Sequence, residues 1–189
     1  MFGPGKHTEK DALLGFLDQQ LAGIRAAAHG LTEEQARTTP CRSTLSVGGL
    51  VKHVTYVLQG RLSLPDDPAA MPDEAGYALF MGSFVLAADE TLAGVLTEFD
   101  AAHATFLAGV RATDPGADVT APPAPWDGIY APTASVQRYE LLHLLEELAR
   151  HAGHADIVRE QVDGATAAPL LMAVEGREGN DFVQPWVPA

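Results

Sequence analysis

"HLLEELARHAGHADIVREQ", residues 143–161, decides how this chain folds. Leu144, Leu145, Leu148, Ala152 and Ile157, with Leu141 just before them, recur at helical spacing and give an amphipathic helix. At about 100° per residue, His143, Glu147, His151 and His154 share one stripe of that helix, and Glu140 joins it one turn earlier. Apolar surface flanks the stripe on both sides, so these groups cannot all face water. They pair internally or bind something.

Working outward, three more long helices are expected. Residues 8–28 place Leu13, Leu14, Leu17, Leu21 and Ile24 at helical intervals, with His29-Gly30 as a stop. "LTEEQA" sets Thr32 three residues before Gln35, a capping-box pattern for a short helical turn. Ser46 is the expected N-cap of a second long helix, with Leu50, Val51, Val54, Val57 and Leu58 in order and His53 among them. Residues 87–112 form the third, with Asp89-Glu90 read as acids at its N-terminus. Ser135 is the expected cap of the fourth, which runs to about Val162 and stops at Asp163-Gly164. Residues 64–87 and 113–134 are broken by Pro and acids and read as long loops, and no alternating strand is evident. Four helices without strands give an all-α bundle over residues 1–164. The tail, 165–189, has no firm period, but Phe182 and Trp186 are expected to dock it on the bundle.

Composition excludes several classes of function. A formal charge of −13, with twelve scattered basic residues, repels phosphate backbones and argues against nucleic acid. No apolar run of the length needed to span a bilayer is present, and the N-terminus lacks the plan of a secretory signal, so a cytoplasmic protein is expected. The bias to Arg over Lys, with much Ala, Gly and Pro, is that of a GC-rich genome. Cys41 is the one cysteine, which excludes an internal disulfide and a cysteine-rich zinc motif. "GPGKHT" near the start lacks the leading glycine and strand of a phosphate loop, and "GSF" at Gly82 lacks the second glycine of a nucleophile elbow.

A metal on this chain must therefore sit on His and carboxylate. His53 has small or apolar helical neighbours in Gly49, Leu50 and Val57, so its imidazole should point inward. The last helix can meet it with two ligands at i and i+4. Glu147 with His151 has that spacing, and so has His143 with Glu147; spacing does not choose between them. Two imidazoles and one carboxylate suit zinc, with nickel or iron as alternatives, and leave a coordination position open. The same pattern also suits histidines that simply pair with neighbouring glutamates inside a bundle.

"LSVGGLVKHV", residues 45–54, followed about ninety residues later by "LLHLLEELARHAGHADIVREQVDG", residues 141–164, resembles the DinB/YfiT-like superfamily of metal-binding four-helix bundles. Within it, the match is to the actinobacterial mycothiol-dependent branch of maleylpyruvate isomerases and mycothiol S-transferases. "EKDALLGFLDQQLAGIRAAAHGLTEEQAR", residues 9–37, fits the same pattern, so the resemblance spans about residues 8–164 and is weakest in the two loops. Most of the superfamily carries a histidine on the second helix and two histidines four apart on the last; in the mycothiol-dependent branch the first of that pair is glutamate. The resemblance thus implies His53, Glu147 and His151 as metal ligands. His143 and His154 are then supporting or substrate-facing groups in catalysis, and Glu146 a surface acid.

The resemblance further implies a zinc-dependent thiol transferase with mycothiol as cosubstrate, handing its thiol to a small electrophile. Arg138, Arg150 and Trp126 are candidates by location for holding the glycosylated thiol, and Cys41 is expected to be structural. Two other readings stand beside this one: a hydrolase or isomerase that uses metal-bound water, and a non-enzymatic bundle whose metal is structural. A monomer or homodimer is expected.

Overall fold

The computed structural model describes residues 2–62 and 73–188, with the side chains of residues 61, 62 and 126 outside that set. Thr8 opens α1 (Glu9–Ala27) by accepting from the Asp11 amide, and Leu13, Leu17, Leu21 and Ile24 bury one stripe of it. Thr32 and Gln35 form the expected reciprocal capping box at α2 (Glu33–Arg37). Ser46 Oγ accepts from the Gly49 amide at 3.1 Å at the start of α3 (Val47–Leu62). Thr91 caps α5 (Leu92–Ala112), and α6 (Gln137–Asp163) ends on Gly164 at φ +78°, a left-handed position that suits glycine.

The four long helices α1, α3, α5 and α6 make the bundle. Helix α1 packs on α6, α3 packs on α5, and α1–α5 and α3–α6 contacts close the ring. Its core runs through Leu17, Leu21, Ile24, Leu50, Val54, Leu58, Phe99 and Leu148, all fully buried. The all-α bundle is therefore the architecture. No helix among the described residues is long and apolar enough to cross a membrane.

Four local expectations are corrected. First, the excursion after α3 holds a helix, α4 (Glu74–Gly82), capped by Asp73; residues 64–72 of that excursion lie outside the described residues. Its helix buries no side chain, so it has no amphipathic stripe from which sequence could detect it. Second, residues 113–134 are not simply loop: β1 (Asp118–Ala121) pairs antiparallel with β2 (Thr133–Val136), Asp118 opposite Val136 and Ala121 opposite Thr133. Each strand is only four residues long, too short for a clear alternation. Ser135 consequently lies in β2 and caps nothing. The first amides of α6 are instead taken by backbone, Gln137 N donating to Ala117 O at 2.9 Å and Arg138 N to Pro115 O at 2.8 Å.

Third, Asp89 and Glu90 precede α5 rather than entering its first turn. The acid at that helix terminus is Glu33 from α2, whose two carboxylate oxygens accept the Leu92 amide at 2.9 and 3.0 Å. Fourth, the tail contains α7 (Ala167–Val174), which buries Leu170 and Met172 and packs on α1. Trp186 docks, edge-on to His29 and over the Arg159 guanidinium at 5.0 Å. Phe182 does not: it is 94% exposed.

Candidate metal centre

His53 reaches the interior because α3 carries two glycines one turn before it. A Cβ on Gly49 would run into the Phe84 carbonyl, and one on Gly48 into the Leu86 side chain. Only the bare backbone lets the segment after α4 lie against α3. That close approach sets Ser83 and Phe84 directly on the His53 ring: Phe84 stacks on it, with centroids 3.7 Å apart at 17°, and Phe80 meets it edge-on at 5.6 Å. His53 is 3% exposed.

The hydrogen bonds around Ser83 determine which nitrogen of His53 carries the proton. Ser83 Oγ donates to the Phe80 carbonyl at 2.6 Å, which uses its single hydrogen. It must then accept at 2.8 Å from His53 Nδ1, so Nδ1 is protonated and Nε2 presents a lone pair. Burial, reinforced by the neighbouring His151, pushes the His53 pKa down to about 4, so the ring is neutral at pH 7. A neutral imidazole whose second nitrogen is fixed by a hydrogen bond is the form in which histidine binds metals.

His151 faces it from α6, ring centroids 4.9 Å apart and nearly perpendicular at 68°. Its pKa is also lowered: burial is the largest cause, Glu147 opposes it, and His154 and Arg150 add to it. Its Nδ1 is buried without a hydrogen-bond partner. Leaving a buried polar atom unsatisfied costs on the order of 1–3 kcal/mol, so the bundle holds this ring where a further ligand would stabilise it. Glu147 lies one turn before, with Oε2 4.0 Å from His151 Nε2 and a side chain 43% exposed.

The donor set therefore fits a divalent ion in its two imidazoles, while the carboxylate is nearby but turned outward. Among the described residues, no three His, Cys, Asp or Glu side chains stand close enough together to hold an ion as placed. Holding an ion with all three side chains would require Glu147 to change rotamer.

The remaining predicted residues are spread along α6 and over other parts of the chain, and only Arg150 and His154 are near His151. His143, half-buried, stacks on Tyr139 with centroids 6.3 Å apart at 6°. His154 is exposed, at the rim beyond His151. Arg138 is held by the Glu9 carboxylate of α1, its Nη2 donating at 2.9 Å, and Arg150 pairs with Glu146 on the helix surface at 3.2 Å. Trp126 is in a short 3₁₀ turn (Pro125–Asp127), and its side chain lies outside the described residues. Cys41 is a free thiol packed at the edge of the core. Ser83 is the residue that sequence reasoning missed. It sits thirty positions from the ring it orients, and no local pattern announces the pairing.

With this geometry in view, comparison with known proteins is decisive for kinship. The family model for mycothiol S-transferases matches residues 12–164. The chain belongs to the mycothiol S-transferase family. The match takes in both helices of the histidine pair, as the resemblance read from sequence implied. The solved structure of YfiT from Bacillus subtilis, described as a probable metal-dependent hydrolase with an unusual four-helix bundle topology, is also similar. It covers 93% of this chain and 94% of its own at 18% sequence identity, with a TM-score of 0.49. No curated protein matches the chain.

Proposed function

We propose that this member of the mycothiol S-transferase family is a metal-dependent thiol transferase in which His53, Glu147 and His151 hold one divalent ion, zinc, with nickel or iron as alternatives. The observation that carries the reading is the pair of facing, largely buried imidazoles, one with its lone pair fixed by Ser83 and the other with an orphaned nitrogen. A structural pair would satisfy those nitrogens internally; a ligand pair leaves them for an ion.

A divalent ion there supplies Lewis acidity, which lowers the pKa of a thiol or water that reaches it. The chain does the rest. Ser83 keeps the proton on His53 Nδ1, and Phe80 and Phe84 exclude water from the inner face of that ring. Glu147 contributes a negative charge on the open side, where the thiol proton departs to solvent. The thiol sulfur then forms a bond to the electrophilic carbon of the acceptor, and the leaving group takes the electron pair of the bond that breaks. Mycothiol is the thiol proposed as cosubstrate, with His143 and His154 on the same helix stripe facing the reactants. Arg138 and Arg150 would exchange their present carboxylate partners for the sugar hydroxyls or amide carbonyls of the thiol.

Elemental analysis of protein purified without affinity metal tests the centre, alongside His53→Ala and Glu147→Ala. One zinc per chain, lost in both variants, supports it; full metal content in both variants rejects the triad. Turnover of an electrophile only when mycothiol is added supports thiol transfer. Turnover without any thiol would replace it by a reaction on metal-bound water.

A further inference from the structure

Residues 83–91 run from α4 to α5 without joining a helix or the sheet, and side chains of α2 and α3 tie them down. Lys52 Nζ donates to the Val85 carbonyl at 3.0 Å and to Glu90 Oε2 at 2.8 Å. Arg37, from α2, donates through Nη1 to the Leu86 carbonyl at 2.8 Å and through Nη2 to the Glu90 carbonyl. Glu90 Oε2 also accepts from the Ala87 amide at 2.6 Å, which closes the segment on itself. Burial pushes the Glu90 carboxyl up, but the Lys52 hydrogen bond, the Ala87 amide and the charges of Lys52 and Arg37 together hold its pKa below the usual carboxylate value. The clamp is thus built from charged groups, whose hydrogen bonds are the stronger kind.

It fixes the register of the segment on α3, and register decides what His53 meets. With Val85 and Leu86 held, the Phe84 carbonyl lies over Gly49 and the Leu86 side chain over Gly48, where a Cβ would collide with either. Ser83 is the next residue back along the chain, and its Oγ accepts the His53 Nδ1 proton at 2.8 Å. On the other side of Ser83, α4 buries none of its side chains and so gives it little anchorage. A slip of about 1 Å would take Oγ out of hydrogen-bond range of the ring. We propose that Lys52 and Arg37 are positioning residues of the metal centre: by clamping residues 85–90 they hold Ser83 where it keeps the proton on His53 Nδ1 and leaves Nε2 to the ion. The proposal rests on the reading of His53 as a ligand and adds to it the residues that set its tautomer.

The nitrogen NMR shifts of the His53 ring in metal-free protein report the tautomer directly. Wild type should show Nδ1 protonated and Nε2 bare. Lys52→Met and Arg37→Met should each move the ring toward a mixture of tautomers, as Ser83→Ala does, while His29 beside Trp186 and His103 beside Asp18 keep their shifts. Zinc affinity, read by competition with a chelator, should fall about three- to tenfold in each, short of the loss expected for a group that touches the ring itself. The sign is diagnostic, because removing a cation near a cation site would strengthen binding on charge alone. On a Ser83→Ala background Lys52→Met should cost less than about twofold, since the residue through which it acts is already gone. Lys52→Arg, which keeps a cation and its donors, should retain the wild-type tautomer and affinity.

A His53 signature unmoved in both Met variants overturns the proposal. So, where wild type takes up zinc, does binding that is unchanged or tighter in them, or the full loss repeated on Ser83→Ala. Collapse of the fold in both Met variants would make the clamp purely architectural and overturn it as well. A tautomer that shifts in the metal-free variants while wild type takes up no zinc would sink the metal reading and leave the clamp standing. Zinc bound by wild type with an unmoved tautomer in the variants would do the reverse.

Discussion

Near the C-terminal end of α6 the guanidinium of Arg159 is fully buried and engaged on all sides; two turns earlier the imidazole of His151 is largely buried and has a nitrogen with no partner. Arg159 Nε donates to Asp163 Oδ1 at 2.9 Å, and Nη1 donates to the carbonyls of Ala27 and His29 at 2.8 and 2.7 Å. Its Nη2 stands 2.9 Å from Asp163 Oδ2, as an ion pair without the alignment of a hydrogen bond. Trp186 covers it. Here burial of a charge is compensated inside the chain, and the group ties α1, α6 and the tail together. At His151 the compensation is missing. Buried polarity that is satisfied reads as architecture, and buried polarity that is not reads as a place for a ligand.

The largest effect expected from breaking this contrast is at Arg159. Arg159→Ala strands Asp163 and two backbone carbonyls and should cost about 3–5 kcal/mol of unfolding free energy, measured by urea titration. A loss below about 1 kcal/mol would show that the latch is ornamental. Next comes Ser83→Ala, which frees the His53 ring to change tautomer. Metal affinity should fall roughly 10- to 100-fold, as for other groups that orient a metal-binding histidine, and competition with a chelator would read it out. Unchanged affinity would detach Ser83 from the centre.

The tail offers a smaller and sharper test. Gly30 has φ +72°, and a Cβ there would strike the Trp186 ring. Gly30→Ala should cost about 1–2 kcal/mol through left-handed backbone strain and displaced packing. The same latch sets a pH dependence. Burial pushes the Asp163 carboxyl up, but the Arg159 hydrogen bond, the Ala165 amide and the Arg159 charge together hold its pKa below the usual carboxylate value. Its folded pKa being the lower one, its contribution is complete above the unfolded value near ~4 and disappears as pH falls through the folded value. Wild type should therefore be more stable than Asp163→Asn at pH 7, with the gap closing as pH is taken well below ~4. A gap independent of pH would mean that the carboxylate charge contributes nothing.

The two regions also differ in how much of them was legible in the sequence. Leucines at helical intervals, the Thr32–Gln35 box and the Gly164 stop are local signals, and the bundle follows from them. His53 and the Glu147–His151 spacing could be picked out because imidazoles among apolar neighbours are conspicuous; the choice of Glu147 over His143 came only from family resemblance. Arg159 went unnoticed, since its partners Ala27, His29 and Trp186 are contributed by distant backbone and by the tail. Ser83 was hidden for the same reason. Helix α4, β1 and β2 escaped because their signals are short or lack a buried stripe, and their places are fixed by contacts with other elements, such as Phe80 on His53 and β1 and β2 on α6.

The smallest stability effect is the most discriminating. His151→Leu keeps similar volume and removes a nitrogen that the metal-free protein leaves unsatisfied. The desolvation cost relieved, on the order of 1–3 kcal/mol, offsets whatever packing the imidazole contributes. Metal-free His151→Leu should consequently lie within about 1 kcal/mol of metal-free wild type, or be slightly more stable, while losing its ion. Added metal should then raise the Tm of wild type alone, because binding to the folded state stabilises it by mass action. If the metal-free variant instead loses several kcal/mol, as Arg159→Ala does, His151 is held by interactions internal to the bundle. The two constellations on α6 would then be of one kind, both architectural, and the case for an ion between α3 and α6 would fall with the contrast.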